Sequence, residues 1–147
     1  MTMIRLLLVD DEACIRRGLR MRLALEPDVQ VIGEASEGAE AVFLAQQLHP
    51  DVVVMDVEMQ EIDGITAAAA IANLTPPSAV VTLTIHDDAA TRERARAAGA
   101  VAFVGKHEGC DAVLAAIRYA ADPSQHTQPF VAPPGATGRT SCTVRPD

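Results

Sequence analysis

Leu6-Leu7-Leu8-Val9 runs straight into Asp10-Asp11, and Val52-Val53-Val54-Met55 runs into Asp56. A short run that is apolar throughout reads as a strand buried on both faces, the strand type of a parallel sheet. In such sheets ligands bind beyond the carboxyl ends of the strands. Three carboxylates at two such ends therefore point to one site. At about 4 Å and an effective dielectric near 20, each pair repels by roughly 4 kcal/mol. The site is expected to bind a cation.

Outward from these two runs the chain alternates strand and helix five times. Strands are expected at 4–9, 29–34, 52–55, 79–84 and 101–104, and helices at 13–25, 37–48, 64–74, 88–98 and 110–121. Ile15, Leu19 and Leu23 form a helical stripe, as do Ala41, Leu44, Ala45 and Leu48, and Val113, Leu114 and Ile117 share a face. Pro76-Pro77 stops the third helix, and Gly99 is placed to cap the fourth in a left-handed conformation. Five β-α units with right-handed crossovers make a three-layer α/β domain, a doubly wound five-stranded parallel sheet. Its bounds are 1–121. Residues 122–147 hold five of the nine prolines and no apolar periodicity, and are expected to be a disordered tail or linker.

The 147 residues suit one domain plus that tail, and 49% hydrophobic residues suffice for a core. With 3% aromatic residues and no Trp, the core must be built from Val, Leu, Ile and Ala. Twenty Asp and Glu against twelve Lys and Arg give a net charge of −8, which argues against direct nucleic-acid binding and against an anionic membrane surface. No run approaches a membrane span, and Ile4–Val9 is too short for a signal-peptide core. Cys14, Cys110 and Cys142 form neither a CxxC motif nor a disulfide framework, and reduced thiols in a cytoplasmic protein are expected.

The fourth strand ends in the hydroxyl of Thr84, and the fifth is followed, after Gly105, by Lys106. Four strands thus deliver two Asp, one Asp, one Thr and one Lys to a common edge. Each type suits a phosphoryl group. A carboxylate is a competent nucleophile, carboxylate oxygens hold Mg²⁺, an ammonium meets a phosphoryl oxygen, and a hydroxyl donates to another.

The set Asp10, Asp11, Asp56, Thr84 and Lys106 resembles the receiver domain of two-component response regulators. Met55-Asp56-Val57-Glu58-Met59 followed by Asp63-Gly64 is similar to that family's phosphoacceptor loop, and residues 97–106 are similar to its fifth-strand signature. The resemblance covers residues 3–121. It implies a flavodoxin-like strand order of 2-1-3-4-5. It implies that Asp56 accepts a phosphoryl group from a sensor histidine kinase, and that Mg²⁺ is held by Asp10, Asp11, Asp56 and the backbone carbonyl of Glu58. It implies that Lys106 pairs with the phosphoryl group, or with Asp56 without it, and that Thr84 and Phe103 form the switch. Glu34-Ala35-Ser36-Glu37-Gly38 resembles receivers that precede a LuxR-type DNA-binding domain, which is not found in these residues. A phosphorylation-promoted homodimer and a role in transcription regulation are further expectations.

Several positions depart from the family. Gln60 stands where Pro often follows the loop Met, and His107 follows Lys106. Glu58 and His86, two positions beyond Asp56 and Thr84, occupy places that tune the lifetime of the aspartyl phosphate. Two alternatives stand beside the switch. One is an interaction module that works without phosphorylation. The other is a phosphatase with an aspartyl nucleophile, similar to haloacid dehalogenases, although Glu58 and Gln60 stand where those enzymes carry Asp and Thr. Arg16, Arg17, Arg20 and Arg22 are expected to form a solvated helix face, or a kinase-docking surface.

Overall fold

The computed structural model describes residues 3–57, 64–74, 77–85, 88–126 and 130. The strands are β1 (Ile4–Val9), β2 (Val29–Ala35), β3 (Val52–Asp56), β4 (Ala79–Thr84) and β5 (Ala102–Gly105). The helices are α1 (Ala13–Leu23), α2 (Gly38–Leu48), α3 (Gly64–Ala72), α4 (Ala89–Ala97) and α5 (Cys110–Ala121). All four strand pairings are parallel, in the order β2-β1-β3-β4-β5. The expected flavodoxin-like, doubly wound sheet is therefore present.

Side chains alternate across the sheet, so each central strand serves two cores. Leu6, Leu8, Val54, Val81 and Leu83 meet Leu19 and Leu23 of α1 and Val113, Leu114 and Ile117 of α5. Leu7, Val9, Val53, Met55 and Val80 meet Ala41 and Ala45 of α2 and Ala67, Ala68 and Ile71 of α3. The second core is rich in alanine, which lets those helices lie close to the sheet. Every residue of β3 is buried, which is why its sequence carries no polar alternation. Among the described residues no helix is long and apolar enough to cross a membrane.

The connections are built from local chemistry. Arg5 of β1 donates to the carbonyls of Leu48 and His49 and so satisfies the carboxyl end of α2, where His49 is left-handed at φ 49°. Gly99 has a φ of 105°, as its expected capping role requires. One irregularity bears on the site. The β1–β2 register slips between Leu6 and Leu7, so that Leu6 pairs Val31 but Leu7 pairs Gly33. Of the segment assigned as a tail, Pro123–Gln125 forms a 3-10 turn, and the rings of His126 and Phe130 lie 4.9 and 5.5 Å from that of Tyr119.

Candidate functional site

Register assembles the site. Val9 pairs Met55, so the residues that follow, Asp10 and Asp56, leave adjacent strands at the same level. Thr84 is the last residue of β4 and pairs Gly105, directly before Lys106. Carboxylate oxygens of Asp10, Asp11 and Asp56 can all lie within 4.8 Å of one another. Asp10, Asp56 and Thr84 are buried, while Asp11 is exposed.

Lys106 reaches into this group. Its Nζ stands 3.1 Å from Asp10 Oδ2, 3.3 Å from Asp56 Oδ2 and 3.8 Å from Glu12 Oε1. Burial alone would lower its pKa, but the charges of Asp56 and Asp10 outweigh that, and the pKa is raised. The ammonium therefore stays charged throughout the neutral range. It bridges two aspartates, where the sequence suggested Asp56 alone.

Asp10 is fixed on three sides. Its N–H donates to Ala35 O at 3.1 Å, its Oδ1 accepts from Glu12 N at 2.9 Å, and its carbonyl accepts from Arg16 Nη1. Its Oδ2 is buried and accepts no well-aligned hydrogen bond. Neither aspartate is a simple helix cap, because α1 has no side-chain cap at its start.

The donor set fits Mg²⁺. It consists of hard oxygen ligands with one open, exposed carboxylate, and the cation would meet the buried oxygen of Asp10 that lacks an aligned donor. Three carboxylates less one ammonium leave a formal charge of −2, which a divalent ion matches. Glu58, whose carbonyl was expected to join this set, and His86 lie outside the described residues.

Phe103 pairs Thr82, and parallel partners point to the same side, so Phe103 shares a face with Thr84 two residues on. Gly105, opposite Thr84, adds no side chain there. Phe103 is half-buried, with the Arg92 guanidinium of α4 4.9 Å above its ring.

Three interactions at the site were not read from the sequence. Glu12 follows the aspartate pair and approaches Lys106. Glu108 accepts the N–H of Gly105 at 2.8 Å and braces the turn that carries Lys106. Arg16, expected on a solvated face or a kinase-docking surface, turns inward to Asp10 and Glu34, and Arg20 joins it at Glu34. Arg22 likewise pairs Glu26 and Asp111, while Arg17 and Arg20 are exposed.

A parallel sheet whose carboxyl edge gathers three acids, a hydroxyl and an ammonium is the signal-receiving module of two-component systems. Residues 6–118 match the family model described as response regulator receiver domain, and the chain belongs to that family. It is 41% identical over 106 residues to protein-glutamate methylesterase/protein-glutamine glutaminase 1 of Methanosarcina acetivorans, a match that covers 71% of this chain and 30% of that protein. It is 47% identical over 87 residues to the transcriptional regulatory protein LiaR of Bacillus subtilis, covering 58% of this chain and 41% of LiaR. The chain thus spans less than half the length of either relative. The response regulator domain of Thermotoga maritima CheB is similar in structure, with a TM-score of 0.67 and 37% identity, over 80% of this chain and 88% of that one.

Proposed function

We propose that this receiver is a phosphorylation switch in which Asp56 accepts a phosphoryl group from the phosphohistidine of a sensor histidine kinase. The observation that carries the reading is the placement of Lys106 between Asp10 and Asp56 at the buried end of β3. One Asp56 oxygen attacks phosphorus as the bond to the histidine nitrogen breaks, and the electron pair leaves with the imidazole. Asp10, Asp11, Asp56 and the carbonyl of Glu58 are the residues that would hold Mg²⁺. When bound, Mg²⁺ neutralises charge on the phosphoryl oxygens.

Lys106 is then released from Asp56 towards the new anion, while its contact with Asp10 keeps the ammonium in place. Thr84 donates its hydroxyl to a second phosphoryl oxygen, and Phe103 moves on the same face of the sheet. The new charge biases a two-state element formed by α4, β5 and α5. Shifting it from about 1% to 99% active requires roughly 5.5 kcal/mol of differential stabilisation.

In this reading the chain is a switch and not a turnover enzyme. It works in the cytoplasm without direct contact to nucleic acid or membrane, and phosphorylation promotes a homodimer. The methylesterase and transcriptional-regulator relatives support an output of either class. The test is incubation with acetyl phosphate and Mg²⁺, followed by intact-mass spectrometry. One phosphoryl adduct is expected on the wild type and none on Asp56→Asn. An unmodified wild type, or an adduct that survives Asp56→Asn, would reject the phosphoacceptor assignment.

A further inference from the structure

We propose that Arg16, held by Glu34, is a positioning residue for the acidic site: it fixes the Asp10 backbone so that Asp10 Oδ2 faces the cation. The inference rests on the Mg²⁺-dependent reading of the site given above. It adds two residues, on α1 and on the edge strand β2, that reach the site only through Asp10.

The contacts divide as follows. Arg16 Nε donates to Glu34 Oε1 at 3.2 Å while Nη1 donates to the Asp10 carbonyl. A guanidinium serves two acceptors at once from one rigid plane, and an ammonium does not. Arg16 is 18% exposed and Glu34 25%, so the pair is largely shielded. Burial by itself would raise the Glu34 pKa, but the bonds from Arg20 and Arg16 outweigh it and hold the carboxyl below its ordinary range. Glu34 is therefore an ionised anchor at neutral pH.

The β2 irregularity exists at the place this anchor needs it. Val29 and Val31 pair Ile4 and Leu6 and share their face of the sheet. Strict alternation would continue that face through Gly33 and Ala35 and turn Glu34 away from α1. The slip at Ile32 reverses this: Ala35 pairs Val9 in the opposite core, and Glu34 pairs Leu8 on the α1 face. Bulges near sites commonly re-aim one side chain. A tie between α1 and β2 alone would need only Arg20 and Glu34. Arg16 adds a donor to the loop that carries the carboxylate.

Positioning and simple charge predict opposite signs. A guanidinium beside a cation site repels the cation, so as a mere charge its removal would tighten Mg²⁺ binding. As a positioning group its removal loosens binding, because the Asp10 carbonyl loses the donor that holds it.

The experiment is calorimetric titration of the full chain with Mg²⁺ alone. Arg16→Gln is expected to weaken binding roughly tenfold, as when a group that orients a metal ligand is lost. Arg16→Lys keeps the charge without the fork and is expected to weaken binding by most of the same factor. Glu34→Gln is expected to weaken it also, and to do so at about 1 M salt, where the Debye length is near 3 Å and a purely coulombic effect is screened. The double variant should be little worse than Arg16→Gln, since both act through one restraint. Equal or tighter binding in Arg16→Gln, or wild-type binding in Arg16→Lys, would overturn the inference. If Arg16→Gln does not fold by circular dichroism, the Glu34→Gln result at high salt decides in the same way. A wild type that binds no Mg²⁺ would overturn the metal-dependent reading itself, whereas a wild type that binds beside indifferent variants overturns only the role of Arg16.

Discussion

Gly64 opens α3 directly against the carbonyl of Asp56: a Cβ at position 64 would lie 2.1 Å from Asp56 O and 2.5 Å from Val57 Cα. The N–H of Gly64 also donates to Val57 O at 3.2 Å, so the two segments are tied where they touch. Both obstructing atoms are backbone, and neither can swing aside as a flexible side chain would. Gly64→Ala is expected to cost about 1–3 kcal/mol through overpacking and to displace Asp56. Urea midpoints measure the first effect. Slower labelling by acetyl phosphate measures the second, and a Gly64→Ala protein with wild-type midpoint and labelling would show that α3 yields freely.

Lys106 is the ammonium that faces the two buried aspartates, so removing it takes away a positive charge that offsets their repulsion. Lys106→Met is expected to lose about 3 kcal/mol at neutral pH, the low end for breaking a buried pair. The sign with pH follows from the raised pKa. A raised folded-state value means the contribution is complete below the unfolded value of about 10.4 and disappears as pH rises through the folded value. Denaturation midpoints of wild type and Lys106→Met should therefore converge in strong alkali and differ most below about pH 10. A gap that is constant with pH would show that Lys106 acts through packing of its stem.

Most of this fold was legible because the apolar runs 6–9 and 52–55 are unbroken and each helix carries a stripe or a stop. The acids stood out because Asp10 and Asp56 follow those runs without a spacer. Glu34 and Arg16 were not legible for a specific reason. Period-two alternation in β2 places Glu34 on the wrong face, and only the slip at Ile32 corrects it. The bridging of Asp10 and Asp56 by Lys106 was equally hidden, since sequence order says that Lys106 reaches the edge but not which acid it meets first.

Arg118 of α5 donates to both oxygens of Asp28, at 3.0 and 2.9 Å, and to Glu26 at 2.8 Å, closing the α1–β2 connection onto the last helix. The Arg118 bond holds the Asp28 carboxyl below its ordinary range. A depressed folded-state pKa stabilises above the unfolded value, near 3.9, and the gain is lost as pH falls through the folded value. Asp28→Asn is expected to cost about 0.5–1 kcal/mol at pH 7, as for a partly exposed ion pair. Acid titrations followed by circular dichroism should show the two proteins converging as pH falls below the unfolded value and through the lowered folded one. A variant that stays less stable by the same amount at every pH would mean that the asparagine disturbs the loop by itself.

Helix α4 is held more loosely than α5. Its buried side is Ala95 alone, whereas α5 buries seven residues including Leu114 and Ile117. Among the contacts that also hold α4 are the Asp88 cap, whose side chain accepts from Thr91 N at 2.7 Å, and the Arg92 guanidinium over Phe103. Elements with little burial open locally at a fraction of the global stability. Amides of α4 are therefore expected to exchange with solvent deuterium well before those of α5. Asp88→Ala, which removes a cap worth about 1 kcal/mol, should speed α4 exchange roughly fivefold and leave α5 unchanged. Equal acceleration in both helices would mean that α4 opens only with the whole domain, and the face it shares with Phe103 would then be too rigid to respond to a charge placed on Asp56.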